Sequence, residues 1–167
     1  AGEVLATTTR PITPEVTTGE LHDLLAGDGP EAILKVLDDH ASGSVEGVVQ
    51  DESLVTRAKK LSKGDGTTDF AAPAHVIRSK VHAFNPWPSV TVRHSAGSLK
   101  LHRVEAIAQG AEAEPGTLVD RERGLVACTE GVLRLVEVQP ANKPSMAWGE
   151  YVNGAAIDAG DRLEPMA

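Results

Sequence analysis

Apolar residues recur every three or four positions in two stretches near the start of the chain, residues 17–27 and 30–42. This spacing predicts two amphipathic helices, separated by Gly27–Gly29. The apolar stretch 4–9 precedes them and predicts a short strand, which ends at the prolines that follow. A strand and two helices cannot enclose a core of their own, so we expect them to be the end of a larger domain.

A third apolar stripe predicts a helix in the middle of the chain, and it begins at Pro73 because proline suits the first helical position. Ile77, Val81 and Phe84 line one side of this helix. The helix must end near Phe84, since Asn85 precedes a proline and is disfavoured in helical geometry. A second face carries basic side chains that are predicted to point outward: His75, Arg78, Lys80 and His82.

Polar and apolar residues alternate after Pro88, which predicts short strands joined by glycine-containing turns. The predicted strands cover residues 89–93, 98–107, 117–119, 124–128, 132–138 and 160–163, with a short helix at 145–153. Strands of this number and length are typical of a small closed barrel of the oligonucleotide-binding (OB) kind. Trp87 is expected to cover one end of the barrel as a buried side chain rather than to stack on a base.

The predicted fold class is therefore α+β, in three parts. Residues 1–47 form the strand–helix–helix part, residues 48–66 a linker, and residues 67–167 an OB-fold-like β-barrel domain with a helix. The linker is indicated by the change from acidic residues, Asp51 and Glu52, to lysines, and by Gly64–Gly66 at its end.

The single cysteine, Cys128, excludes an internal disulfide and is typical of a reducing compartment, so we expect a cytoplasmic protein. Its thiol lies in an apolar run and is predicted to be buried rather than catalytic. No apolar run approaches the ~18 residues of a membrane-spanning helix, and the start of the chain does not resemble a signal peptide. His75 and His82 lie two helical turns apart without a third ligand, so no metal site is predicted.

The net charge of −8 would by itself disfavour binding to nucleic acid. The charge is unevenly distributed, however, because residues 53–104 hold nine lysines and arginines against only Asp65 and Asp69. Phosphate binding needs a local cluster of positive charge, which this part of the chain supplies. The candidate contacts are Lys59, Lys60, Lys63, Arg78, Lys80, His82, Arg93, Lys100 and Arg103.

Short motifs run along the whole chain. The longer ones are Gln50–Ser53, Ala58–Asp65, Asp69–Phe70, Ala83–Pro88, Pro115–Thr117, Ala127–Gly131 and Leu135–Pro140. Shorter ones are Pro11–Glu15, Leu21–Asp23, Lys143 and Asn153–Gly154. In this order and at these spacings, the set resembles the methionyl-tRNA formyltransferase family.

The resemblance implies the C-terminal part of a two-domain enzyme. In that family a doubly wound α/β domain transfers the formyl group of 10-formyltetrahydrofolate to the amino group of initiator methionyl-tRNA. Residues 1–47 would be the end of that domain, and the barrel would hold the acceptor arm of the tRNA by its backbone. The chain itself is expected to need no cofactor.

No catalytic residue is expected in this chain. By the resemblance, the catalytic Asp would lie just before Ala1 and the Asn-x-His motif further upstream, and neither His22 nor His40 matches the catalytic histidine. Two alternatives stay open. The barrel could belong to another formyltetrahydrofolate-using enzyme, such as the hydrolase part of formyltetrahydrofolate dehydrogenase. It could also be a structural or subunit-contact domain.

Overall fold

A computed structural model describes residues 2–166. Its α-helices are α1 (Thr18–Ala41), α2 (Ala74–Ala83) and α3 (Trp148–Gly154). Its strands are β1 (Val90–His94), β2 (Gly97–Ile107), β3 (Leu118–Asp120), β4 (Leu125–Ala127), β5 (Val132–Pro140), β6 (Met146–Ala147) and β7 (Glu164–Pro165). Two short 3-10 helices lie at Glu52–Leu54 and Lys63–Asp65.

These residues form two compact units. One comprises the residues up to Thr13 together with Gly19–Lys60, and the other comprises Pro14–Thr18 together with the residues from Leu61 onward. The hydrophobic core and the β-sheet both lie in the second unit. The division into residues 1–47, 48–66 and 67–167 stays a prediction.

The chain forms one long helix where the sequence predicts two. α1 runs without interruption from Thr18 to Ala41, although Pro30 lies inside it. Proline removes one N–H from the helical ladder, but no residue of α1 is buried, so water can satisfy the freed carbonyl. Arg10 Nε also donates to Asp28 Oδ2 at 2.7 Å, which supports the helix just before the proline. The prediction of two separate helices was wrong.

The predicted strand at residues 4–9 is reduced to a single bridge. Val4 and Val48 exchange two backbone hydrogen bonds of 2.9 and 3.0 Å. Residues 5–9 are exposed and are not assigned to a strand. A strand needs a partner and a face to bury, and beyond Val4 this stretch has neither among the described residues.

The second unit is built on one antiparallel sheet, with strand order β3-β4-β5-β2-β1-β7 and β6 beside β5. β1 and β2 form a hairpin in which Val90 lies opposite Leu101 and His94 opposite Gly97. The long strand β2 pairs with β5 on its other side, and the register of this pair shifts between Leu101 and Val104. Such irregularities bend a strand, which suits a curled sheet.

Residues 160–163 link the two outer strands of the sheet. The N–H of Leu118, in β3, donates to the carbonyl of Asp161 at 2.8 Å, and Gly160 N donates to Leu118 O at the same distance. The chain then continues directly into β7, which pairs with β1. The last strand therefore falls at Glu164–Pro165 rather than at 160–163, and the sheet curls around its core. The finer prediction of an OB barrel stays a prediction.

The core lies where α2 packs against the sheet. Ile77 and Val81 are buried and Phe84 is partly buried against the same cluster, so the predicted apolar side of α2 is confirmed. The sheet contributes alternate residues of its strands: Val90, Val92, Leu99, Leu101, Leu133 and Leu135. Each such side chain stabilises the fold by ~1.5–3 kcal/mol through burial.

Candidate nucleic-acid interface

Lys63 begins a short turn that its neighbours hold in place. The backbone N–H and the hydroxyl of Ser62 donate to Asp65 Oδ2 at 2.7 and 2.8 Å. Beyond the turn, the N–H of Thr91 in β1 donates to the carbonyl of Gly66 at 3.0 Å. The exposed Lys63 side chain therefore projects from backbone that is fixed at both ends.

The fixed position of this turn depends on glycine at residue 66. A Cβ at Gly66 would lie 2.1 Å from the carbonyl oxygen of Ser89, which is too close for any side chain. Gly66 thus lets the Lys63 turn approach the segment that precedes β1.

The segment between α2 and β1 is held by its own hydrogen bonds. Asn85 Nδ2 donates to the carbonyl of His102 in β2 at 2.8 Å. Ser89 Oγ donates to Pro86 O at 2.6 Å, and Ser89 N donates to Phe84 O at 2.8 Å. The five residues from Asn85 to Ser89 are thereby fixed to the sheet and to the end of α2.

Trp87 lies in this segment and is 52% exposed, so the prediction that it is a buried barrel cover was wrong. The reason is that other aromatic side chains already fill the core. Phe70, Trp148 and Tyr151 are all buried there. Trp87 is left at the surface on a fixed turn.

Lys63, Trp87 and Lys100 line one cleft of about 540 Å³. Lys100 is an exposed residue of β2, where it lies opposite Thr91 of β1. The described residues that line the cleft include these two lysines and no carboxylate. The cleft therefore combines an aromatic surface with positive charge.

His82 is buried, so the prediction that it lies on the outward face of α2 was wrong. The N–H of Val104 donates to His82 Nε2 at 3.3 Å. Because Nε2 accepts, the neutral ring carries its proton on Nδ1, which lies 3.0 Å from the carbonyl of Pro14 and donates to it. His82 thus joins β2 to the segment 14–18.

Arg78 and Arg103 line a second cleft of about 340 Å³, together with His82 and Glu105. Both arginines are half-buried. Arg103 donates from one guanidinium nitrogen to the carbonyl of Glu15 at 3.0 Å, so part of its donor capacity holds the segment 14–18. This cleft lies beside the buried histidine and is mixed in charge.

The remaining candidates differ in their exposure and in the bonds that their charged groups already form. Lys80 is half-buried and its Nζ donates to the carbonyl of Thr67 at 2.5 Å. Arg93 is exposed, as predicted, but forms an ion pair with Glu164 at 2.8 Å. Lys59 and Lys60 are exposed and belong to the first unit.

The structure thus groups only some of the predicted contacts. Lys63 and Lys100 share one cleft, Arg78 and Arg103 share another, and His82 is removed from the surface. Reasoning from sequence missed Trp87 as a surface residue. The signal that could have found it is its setting between two prolines, a sequence that belongs to a turn more than to a core element.

Two absences concern residues 2–166 alone. No group of three or more His, Cys, Asp or Glu side chains is arranged to hold a metal ion. No helix in this range is long and apolar enough to cross a membrane.

Comparison with known proteins places this chain in a family. The family model described as formyl transferase, C-terminal domain, matches residues 60–156, more than half of the chain. This chain belongs to that family. The match covers α2, all of β1–β6 and α3.

Curated relatives carry a more specific name. Proteins named methionyl-tRNA formyltransferase from Symbiobacterium thermophilum and Granulibacter bethesdensis are each 38% identical to this chain, over 168 and 165 residues. The matches cover 98% of this chain but 52% and 50% of those proteins. The chain therefore spans about half the length of the curated relatives that it matches.

Solved structures share the fold at low identity. A variant of HypX from Aquifex aeolicus superposes with a TM-score of 0.68 at 17% identity, covering 95% of this chain and 29% of that one. HypX in complex with tetrahydrofolic acid gives a TM-score of 0.67 at 15% identity, covering 96% and 31%. At these identities the likeness concerns the fold alone.

Proposed function

We propose that this chain is the C-terminal part of a methionyl-tRNA formyltransferase and that it holds initiator methionyl-tRNA for the transfer reaction. The formyl donor, 10-formyltetrahydrofolate, would bind to the transferase domain, which would also supply the catalytic groups. The barrel, of the OB kind, would grip the RNA backbone near the acceptor arm. Such an enzyme would work in the cytoplasm, where its tRNA is found.

The observation that carries this proposal is the cleft lined by Lys63 and Lys100. Two exposed lysines on fixed backbone, with no carboxylate among the described residues of the same lining, are suited to neutralise phosphates and release their counterions. Phosphate contacts position a nucleic acid rather than read its sequence. Their contribution to catalysis is to hold the methionyl amine near the formyl donor.

The other candidates contribute unequally in this proposal. The exposed Lys59 and Lys60 are suited to further backbone contacts, and Arg93 can contribute after exchanging Glu164 for a phosphate. Lys80 and Arg103 each use a donor on a backbone carbonyl, and the Nε of Arg78 is buried, so we assign these three residues weaker contacts. His82 is buried and we assign it a structural role.

A formyltetrahydrofolate enzyme that does not use tRNA is the second candidate. The HypX structures share the fold of this chain, and one of them holds tetrahydrofolic acid, but at 15–17% identity they do not choose between the two candidates. The curated relatives, at 38% identity, favour the tRNA enzyme.

Steady-state kinetics of the enzyme that contains this chain would test the proposal. Lys63→Glu together with Lys100→Glu should raise the KM for methionyl-tRNA about tenfold, because two attractive phosphate contacts become repulsive. The KM for the formyl donor should stay unchanged.

The matched control is Arg123→Glu with Lys143→Glu, since both residues are exposed and lie outside the cleft. Equal effects of the two double variants on the KM for tRNA would contradict a specific role of this cleft. Arg121 is unsuitable as a control, because its guanidinium donates to the carbonyls of Val152 and Ile157 at 2.7 Å.

A further inference from the structure

We propose that the cleft between Lys63, Trp87 and Lys100 binds one unpaired nucleotide of the tRNA. Its base stacks on the indole of Trp87, and the phosphates on either side of it contact the two lysines. This inference rests on the proposed function and adds that the cleft binds unpaired rather than double-stranded RNA.

Trp87 is half-exposed, at 52%. The chain has two tryptophans, and the other one, Trp148, is buried and donates its indole N–H to Arg121 O at 2.8 Å. About half of the large apolar side chain of Trp87 is in contact with water. A nucleobase can cover an exposed indole by stacking on it, whatever the identity of the base.

The backbone that supports the Trp87 ring is held in a fixed geometry. The bonds from Asn85 to His102 and from Ser89 to Pro86 and Phe84 hold the segment that carries Trp87. A platform that is held in place before binding loses little conformational freedom when a base stacks on it.

The cleft has a size and a charge that suit one nucleotide. Its volume of about 540 Å³ falls in the range typical of clefts for small ligands, so it can admit one base and its sugar. Lys63 and Lys100 add positive charge for the adjoining phosphates. In a duplex the base faces are stacked on one another, so the indole can reach a base only where the strand is unpaired.

Fluorescence gives a direct test on the chain itself, because a change in emission on binding reports Trp87 while Trp148 stays buried. The probes are a single-stranded RNA of about eight nucleotides, a blunt duplex of the same sequence and initiator tRNA. The single strand and the tRNA should quench the emission, and the duplex should not. An unchanged emission at saturating single strand would overturn the inference.

Substitutions separate stacking from charge. Trp87→Leu keeps an apolar side chain but removes the aromatic face, and it should weaken single-strand binding at least about fivefold without affecting the duplex. Trp87→Phe should restore most of the affinity. Lys63→Gln and Lys100→Gln should each lower the salt dependence of single-strand binding by about 0.7 in the slope. Thermal unfolding should show the Trp87 variants to be folded, since the side chain lies outside the core.

The two proposals fail in different ways. If tRNA binds with salt-dependent affinity but Trp87→Leu binds the single strand and tRNA like the unmodified chain, stacking is wrong and the proposed function stands. If the chain binds neither probe nor tRNA, both are overturned.

Discussion

At the scale of single residues, His94 is the clearest buried titratable group. Its Nδ1 accepts from the N–H of Ala96 at 3.2 Å, so the neutral ring carries its proton on Nε2, which lies 2.7 Å from the hydroxyl of Tyr151. Burial lowers the pKa of His94 below its ordinary value of 6.5, and the nearby Asp161 opposes this in part. A second proton on the ring would occupy Nδ1 and would break the hydrogen bond that this atom accepts from the N–H of Ala96.

This pKa shift predicts a pH-dependent stability. The unfolded chain takes up a proton on His94 at higher pH than the folded chain does. The contribution of neutral His94 to the free energy of unfolding is therefore complete above pH 6.5 and is lost as the pH falls through the lowered folded pKa. Urea unfolding between pH 5 and 8 should show this loss, and His94→Gln should lack that part of it. Parallel curves for the two proteins would contradict the prediction.

Cys128 provides a second prediction at this scale. Its thiol is buried, as the sequence predicted, and burial raises its pKa to about 11. Only the thiolate reacts with disulfide reagents, so at pH 8 the folded chain should be labelled far more slowly than the chain in urea. Equal labelling rates in the two conditions would show that the thiol is accessible.

At the scale of elements, the Lys63 turn depends on the close approach of Gly66 to Ser89. Gly66→Ala should lower the free energy of unfolding by ~1–3 kcal/mol, because the new methyl group overlaps a backbone carbonyl. The control is Gly64→Ala in the same turn, where the nearest atom to a new Cβ lies 3.8 Å away. Urea unfolding of both variants tests this, and equal changes would contradict the close contact.

The elements also show what sequence alone can predict. The strands β1, β2 and β5 and the helix α2 follow from local alternation and helical spacing, and their predicted positions agree to within a few residues. The continuity of α1 through Pro30 does not follow from such a pattern, because it depends on exposure and on Arg10, which is distant in sequence.

The candidate site was harder to predict than the fold. His82 has the spacing of an outward residue, but its partners Pro14 and Val104 come from other parts of the chain. Trp87 is a large aromatic residue of the kind expected in a core, but Phe70 and Trp148 are the ones buried there. Lys63 and Lys100 could be predicted as basic residues, whereas their presence in one cleft depends on the packing of the Lys63 turn against β1.

At the scale of the whole molecule, a net charge of −8 coexists with a basic central region. The acidic remainder should repel RNA from other surfaces, so binding should be confined to the basic central region and should depend strongly on salt. An acidic chain does not attract RNA over its whole surface, so binding confined in this way would indicate an RNA-positioning surface.

The affinity of this chain for initiator tRNA across a series of salt concentrations tests most directly whether the chain holds tRNA by its phosphates. We expect the logarithm of the association constant to fall linearly with the logarithm of the salt concentration. Lys63→Gln with Lys100→Gln should make the slope shallower by about 0.7 for each lysine, the value for an unpaired strand, and Arg123→Gln with Lys143→Gln should leave it unchanged. Absence of binding, or an affinity that does not depend on salt, would contradict a role of these lysines in holding tRNA.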